Sequence, residues 1–361
     1  MSKIIRVGII GTGGMAADHA KKFSAIPGVR LGACLDILPG RAESFAKTHG
    51  FKHAVSDVAA LLNEVDAVSI VTPDAAHAAD SLTVLKAGKH LLCEKPLTTT
   101  LADARKVAGA ARKAAKSGAI HMVNFSYRRS AAMQKAMELV AKGAIGDLRH
   151  VHSSYLQSWI AQPIWGHWTQ EQWLWRMQTA RGSAGVLGDV GCHILDLTTA
   201  VSGPVQAIRC ALATLPKITE DGQAVSRWGK AELDANDSAL IELRFTNGAL
   251  GVIHTTRWAT GHANHLRCEV HGTEGALNFD LDAGYEILNT CLGKDAVKAA
   301  WTTKTLKPAP NIWQRFIKAI KTGKQDQPDV FRGAEIQAYL DACLTSAKTQ
   351  AWTPVPAWTD V

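Results

Sequence analysis

The chain has 361 residues, 47% of them hydrophobic and 20% charged, with a formal net charge of +8. That length argues for two domains rather than one core, and no run approaches the roughly 18 apolar residues that a membrane-spanning helix needs. Lys and Arg are spread thinly; the densest group, Arg105, Lys106, Arg112, Lys113 and Lys116, has the spacing of one wet helix face, so neither nucleic acid nor membrane is expected as a partner.

The chain enters directly on the apolar run Ile4–Ile10, with no apolar leader or small-residue cleavage site before it, so no signal peptide is expected. A helical spacing follows at Gly13–Ala25, a second strand at Val29–Asp36 and a helix at Pro39–Thr48. Ala67–Val71 reads as the third strand, then a helix over about His77–Ala87, a short strand His90–Cys93, a helix Leu101–Ala115 and a strand Ile120–Asn124. Strands alternating with helices at this pitch predict a parallel sheet covered on both faces.

The pattern changes near Phe125. A helix at about Ala131–Lys142 precedes the extended run Leu148–Ser158, a Trp-rich segment and a helix from about Gly188. Strands then dominate, at Val205–Ala213, Ser238–Phe245, Leu250–Trp258, Leu266–Gly272 and Ala276–Phe279, with a polar surface loop expected at Ile218–Ala235. Two helices close the chain, about Ile312–Lys321 and Ala334–Thr349. The expectation is a dinucleotide-binding α/β domain at 1–125. A second, α+β domain at 126–361, with a large, mainly antiparallel sheet, would bind substrate. The last helices would pack back on the first domain. Seven scattered cysteines without CxxC spacing predict buried thiols in a reducing cytoplasm.

Strand one ends in Gly11-Thr12-Gly13-Gly14-Met15-Ala16, a G-x-G-x-x-A between strand and helix. The glycines allow a tight turn and a close approach of backbone to a pyrophosphate, and the helix N-terminus supplies free N–H groups. Asp36, ending strand two, lies near the distance expected of the acid that accepts from ribose hydroxyls. A carboxylate there repels a 2′-phosphate, so NAD is favoured, with NADP left open by Arg41 nearby.

Glu94-Lys95-Pro96 follows a strand at the carboxyl edge of the sheet, where ligands bind in such folds, and Lys95 can donate to a substrate oxygen. Asp189 and His193, in Gly188–His193, are i, i+4 and share a face on a helix. They read either as an acid/base pair or as a capping aspartate with a core histidine. Asp189, His193 and Asp196 could ligate a metal, but a lysine in the same pocket disfavours one, and His254, His262, His265 and His271 show no ligand spacing; no metal is expected. Trp159, Trp165, Trp168, Trp173 and Trp175 crowd one segment, which fits sugar stacking and equally a packed lid or subunit contact.

Taken in order, these motifs resemble the glucose–fructose oxidoreductase / inositol dehydrogenase (Gfo/Idh/MocA) family over essentially the full length. The matches are Gly11–Ala16, Asp36, Thr72-Pro73 with His77, Glu94-Lys95-Pro96, Asn124 with Tyr127-Arg128, Trp175-Arg176 and Gly188–Asp196. The closing stretches Phe316–Gly323 and Arg332–Ala347 also resemble the family's. The resemblance implies an NAD(P)-dependent dehydrogenase that oxidises a hydroxyl of a sugar or cyclitol. Lys95 would be catalytic, on a turn whose proline is often cis in this family. His193 would be the base, with Asp189 its partner. Gly11, Thr12, Gly13, Gly14, Met15, Asp36, Thr72, Pro73, His77, Glu94, Lys95, Asn124, Trp175 and Arg176 would serve the cofactor. Lys95, Tyr127, Tyr155, Gln157, Trp165 and His193 would meet the substrate. The family also implies a homodimer or homotetramer built through the C-terminal sheet. An NAD-retaining glycosidase of related fold, or a non-catalytic cofactor sensor, are the alternatives; the Trp-rich segment departs from the family and leaves the particular sugar open.

Overall fold

A computed structural model describes residues 4–359 of the chain; the first three, on which the expectation of no signal peptide partly rests, lie outside the described residues. The chain divides into two compact units: the residues up to Ser126 with Pro310–Gln337 and the end from Trp358, and Tyr127–Ala309 with Ala338–Ala357.

The first unit holds a six-stranded parallel sheet of β1 (Ile5–Ile10), β2 (Val29–Leu35), β3 (His53–Val55), β4 (Ala67–Ile70), β5 (His90–Cys93) and β6 (His121–Val123), in the order 3-2-1-4-5-6. That is the doubly wound arrangement of dinucleotide-binding folds. Its helices are α1 (Gly14–Ser24), α2 (Arg41–His49), α3 (Val58–Glu64), α4 (His77–Lys86) and α5 (Leu101–Ala115). In α5 the side chain of Thr100 caps the first turn, and Leu101, Ala104, Val107, Ala108, Ala111 and Ala114 form the buried face; Lys106, Arg112 and Lys113 stay in water, as their spacing predicts. The sequence reading passed over β3 and α3. Both are short, and β3 is an edge strand whose residues are only half-buried, so it lacks a strong period-two signal.

The helix Ile312–Thr322 begins with an Asn311/Gln314 capping box and sinks Ile312, Trp313, Phe316 and Ile317 into the same core as Ile5, Val7, Phe23 and Phe45.

The second unit is built on a nine-stranded sheet. In chain order its strands are β7 (Leu148–Leu156), β8 (Val205–Ala213), β9 (Ser238–Phe245), β10 (Leu250–Thr256), β11 (His265–Gly272), β12 (Gly275–Asp280), β13 (Ile287–Leu292), β14 (Thr302–Thr305) and β15 (Thr353–Pro354). They stand in the order 14-13-12-11-7-10-9-8-15. Only the β7–β10 pairing is parallel, so the sheet is mixed and mostly antiparallel. The helix Cys192–Ser202 packs against β7, β10 and β11. Strands β9 and β10 alternate cleanly, with Ala239, Ile241, Leu243 and Ile253 buried and Leu240, Glu242, Arg244 and Leu250 exposed. β13 and β14 also escaped the sequence reading; β14 is Thr302–Thr305, exposed throughout, and offers no apolar pattern. The expected polar loop at Ile218–Ala235 instead folds mostly into two small hairpins, Lys217–Ile218 with Ala224–Val225 and Arg227–Trp228 with Ala231–Glu232. All seven cysteines are free and buried, and among the described residues no helix is long and apolar enough to cross a membrane.

Candidate active site

The glycine turn is shaped by contact. Gly11 has φ +87°, and a Cβ there would lie 2.7 Å from the Val71 carbonyl oxygen, so only glycine fits. A Cβ on Gly14 would meet nothing within 4 Å, and one on Gly13 only the Arg41 guanidinium at 3.9 Å. No side chain caps the N-terminus of α1, and Met15 is half-exposed in its first turn. The turn therefore presents open backbone and uncapped N–H groups, which suits a pyrophosphate. The Asp36 carboxylate receives the Thr12 N–H at 2.8 Å, its hydroxyl at 2.6 Å and the Leu38 N–H at 2.9 Å. Burial works against that charge, but Thr12, Leu38 and Arg41 outweigh it and hold the carboxyl below its usual range.

At the end of β5 a buried network fixes the turn that carries Lys95. His19 is fully buried on α1; its Nδ1 meets Ser69 Oγ at 2.8 Å and its Nε2 donates to Glu94 Oε1 at 2.8 Å. Asn124 Nδ2 donates to the same oxygen at 2.5 Å, and the Lys95 N–H to Glu94 Oε2 at 3.2 Å. The Lys95–Pro96 bond is cis. The Asn124 amide oxygen is buried and finds no donor among the described residues, so it can accept from a bound hydroxyl or amide. Sequence reasoning missed His19, although a histidine in step with Ala16, Ala20 and Phe23 on an apolar helix face was the available signal.

Burial opposes the Glu94 charge, but His19, Lys95 and Asn124 bring its pKa down from 4.5 to about 2. A lowered pKa adds stability that is complete above the unfolded value and lost as pH falls through the folded one. Between pH 4.5 and about 2, urea stability of the wild type should therefore fall more steeply than that of Glu94→Gln; equal slopes would remove this network from the acid response.

Thr72 and Pro73 follow the end of β4, but His77 does not line a cleft. It is fully buried, with Nδ1 2.7 Å from the Pro96 carbonyl and Nε2 2.8 Å from that of Thr72. It ties the two turns together from below.

In the second unit Asp189 lies in a π-helical turn, Leu187–Gly191, which leads into the helix bearing His193. A Cβ on Gly188 would come within 2.2 Å of Ala184 Cβ, so the glycine permits this packing. The i, i+4 argument assumed an α-helical turn. A π turn changes the angular spacing, and here the Asp189 carboxylate accepts from Arg257 Nη2 at 2.8 Å and stands 3.7 Å from Arg176 Nε. Two guanidiniums thus share the carboxylate that was expected to partner His193. Arg257 had a sequence signal, because the inward positions 251, 253 and 255 of β10 continue to 257.

His193 is buried beside Tyr127, edge-on at 4.9 Å between ring centres, with Tyr155 at 6.4 Å. The Tyr127 and Tyr155 hydroxyls are 2.7 Å apart. Asn264 joins them, donating from Nδ2 to Tyr127 at 2.6 Å and accepting from Tyr155 at 2.5 Å and Gln157 at 2.9 Å. Four expected residues thus converge, and Asn264, in a loop without any pattern to expose it, completes them. Burial foremost, then the neighbouring Tyr127 and the Asp189 charge, push the Tyr155 phenol well above its usual range.

The tryptophans divide. Trp159 and Trp168 are core residues of a satellite cluster with Ile160, Met177 and Leu233, and their indole N–H groups bond Gln157 and the Ile218 carbonyl. Trp165 is 42% exposed, and Trp173 donates to its carbonyl. The Arg176 guanidinium stacks over Trp173 and Trp175. Packing explains most of this segment; Trp165 keeps a face for a ligand.

The expectation of no ligand set among the C-terminal histidines is incomplete. The β11–β12 hairpin brings Asp282 to His262 and His265, with one ligating atom from each within 4.8 Å of the others. Sequence spacing hid this because the carboxylate arrives by strand pairing. His265 Nε2 also meets Asp280 at 2.8 Å, and the two rings stack.

Comparison with known proteins follows this geometry. Residues 5–125 match the model of the oxidoreductase family with an NAD-binding Rossmann fold, and residues 133–278 match the GFO/IDH/MocA C-terminal domain. The chain is 29% identical to levoglucosan dehydrogenase of Pseudarthrobacter phenanthrenivorans, covering 98% of each chain. It is 30% identical to the uncharacterized oxidoreductase YrbE of Bacillus subtilis, over 78% of this chain and 75% of that one. The solved structure of levoglucosan dehydrogenase in complex with NADH and levoglucosan superposes with a TM-score of 0.84 at 28% identity, over 98% of this chain and 99% of that one. The glycine turn, the sheet order and both halves of the sequence agree: the chain belongs to the Gfo/Idh/MocA family of oxidoreductases and carries its NAD-binding Rossmann fold.

Proposed function

We propose that this protein is an NAD-dependent dehydrogenase that oxidises a secondary hydroxyl of a sugar, anhydrosugar or cyclitol. The observation that carries the reading is the ring of hydroxyl and amide groups from Tyr127, Tyr155, Gln157 and Asn264 beside His193. Such a ring matches a polyol in hydrogen-bonding capacity and offers no cationic group of its own.

In this reading the backbone of Gly11–Met15 holds the pyrophosphate, Asp36 accepts from the adenosine ribose, and Glu94 and Asn124 meet the nicotinamide ribose. Trp175 and Arg176 contact the cofactor at the substrate's edge. When bound, the oxidised nicotinamide accepts a hydride from the carbinol carbon. His193 takes the hydroxyl proton at an imidazole nitrogen, and the Lys95 ammonium donates to the substrate oxygen as charge develops there. Asp189 partners His193, its carboxylate held in place by Arg257 and Arg176. Trp165 covers a sugar face.

The test is a panel of sugars, anhydrosugars, sugar acids and inositols assayed for NADH formation. Net NADH with one of them is expected. Hydrolysis of a glycoside without net NADH would favour a glycosidase that retains its cofactor, and cofactor binding with no turnover would favour a sensor.

Cofactor choice rests on Asp36. Replacement by serine should move the NADP/NAD ratio of kcat/KM upward by about tenfold or more, because the repulsion of a 2′-phosphate is gone and Arg41 is released to meet it. An unchanged ratio would place the choice elsewhere.

We further propose assembly as a dimer or tetramer through the open face of the nine-stranded sheet, where Leu240, opposite His254, and Leu250, opposite Arg244, are both exposed. Light scattering would read this directly. The seven buried thiols suit a reducing compartment such as the cytoplasm.

A further inference from the structure

We propose that Arg257 is the positioning residue of this site: its buried guanidinium fixes the Asp189 carboxylate, as an anion, to the floor beneath the Trp-rich segment. The inference deepens the dehydrogenase reading, and its kinetic arm rests on that reading.

The Arg257 side chain is fully buried. Its Nη2 donates to Asp189 Oδ2 at 2.8 Å and to the Gly185 carbonyl at 3.2 Å, and its Nη1 donates to the Arg176 carbonyl at 3.2 Å. Its charged carbon lies 5.1 Å from the centre of the Trp159 ring. One planar group thus sets three backbone or side-chain positions at once: the end of the Trp-rich segment at Arg176, the approach to the π turn at Gly185, and Asp189 within that turn. A guanidinium has donors in a fixed fork for this; an ammonium does not. The ring of Trp159 closes the open face of the fork, and the Trp159 indole N–H reaches Gln157 Oε1 at 3.0 Å, so the same packing unit touches the hydroxyl ring around His193.

A buried cation is costly and is weak evidence for stability in itself. Burial lowers the Arg257 pKa, and the nearby Asp189 charge raises it again. What the cost secures here is place. The charged and titratable groups around Asp189 within this unit include Arg257, Arg176 at 3.7 Å and Tyr155, with Lys217 and Asp237 behind Arg257 and His193 four positions on in the chain. Of the two guanidiniums Arg257 is the nearer to the carboxylate and the fully buried one. Asp189 is accordingly a fixed anion that sets the field at the site, and proton exchange falls to other groups.

The test uses the full chain with carbon-13 at the aspartate carboxyls, Asp189→Asn serving to assign the signal. In Arg257→Gln the titration midpoint of Asp189 should rise by about one to three units. In Arg257→Lys, which keeps a charge but loses the fork, it should rise by less. Both variants should lose about 10- to 100-fold in kcat, with a smaller rise in the Kd for NADH, since Arg257 also holds the backbone of Arg176 while the glycine turn is untouched. An Asp189 midpoint that stays put in Arg257→Gln with wild-type circular dichroism and melting would overturn the proposal. So would a loss confined to NADH affinity. If Arg257→Gln does not fold, an unmoved midpoint in Arg257→Lys overturns it equally. If the wild type forms NADH from no polyol, the dehydrogenase reading fails, and the carboxyl titration still decides the role of Arg257.

Discussion

Replacing His193 by alanine should lower kcat for polyol oxidation by about 10²- to 10⁴-fold and leave the Kd for NADH nearly unchanged. An imidazole titrates near neutrality in its ordinary state, and this one lies beside the hydroxyl ring. It is buried, held edge-on against Tyr127 and within reach of the Tyr155 ring, so its orientation is set by packing before a substrate arrives. A base placed in this way acts in the transition state, and its loss should appear in kcat and kcat/KM together. The acid limb of the kcat–pH profile should disappear in the variant. His193→Asn, close in shape and without a basic nitrogen, should be as slow as the alanine; a near wild-type rate in it would make the contribution of His193 one of shape alone. An unchanged rate in His193→Ala would remove the residue from the mechanism.

The parts of this site that were legible in the sequence are those written in local pattern. Gly11–Ala16 can be read because a tight turn, an open backbone and a helix start all fall within six residues, and each has its own residue preference. Asp36 and Lys95 sit at strand ends, which the alternation of strands and helices locates to within a residue or two. The long helices were legible for the same reason: Leu101–Ala115 repeats its apolar positions and is capped by Thr100. What stayed hidden depends on partners far away in the chain. Arg257 meets Asp189 across 68 positions, Asn264 meets Tyr127 across 137, and His19 meets Glu94 across 75. No spacing rule connects such pairs. The π turn is a separate case. Helical periodicity gave Asp189 and His193 a common face, whereas the turn there is π-helical, with no room for a Cβ on Gly188 beside Ala184. Local spacing locates the candidate residues one by one, and tertiary packing decides which distant groups hold them.

That distinction bears on the second large effect, at a pair with no part in the chemistry. Asp237→Ala should cost about 3–5 kcal/mol of folding stability. Lys217 and Asp237 are both fully buried, with Nζ and Oδ2 2.7 Å apart. Asp237 Oδ2 also receives the Leu215 N–H at 2.8 Å, and Lys217 donates to the Leu215 carbonyl at 2.7 Å, so the pair closes the turn after β8. Burial lowers the Lys217 pKa although Asp237 raises it, which is the mark of a cation kept charged by one partner. Removing the aspartate leaves that cation in apolar surroundings near the buried Arg257, where the two would repel. The double variant Lys217→Met/Asp237→Leu should recover most of the loss, because an apolar pair of similar volume avoids the desolvation altogether. Urea unfolding of the two variants separates the readings. If Asp237→Ala costs under about 1 kcal/mol, the pair is solvated in solution. If the double variant is as unstable as the single, the hydrogen bonds to Leu215 rather than the charges hold the turn. If the double variant is stable but slow, the pair's use is to set the position of Arg257, and through it Asp189.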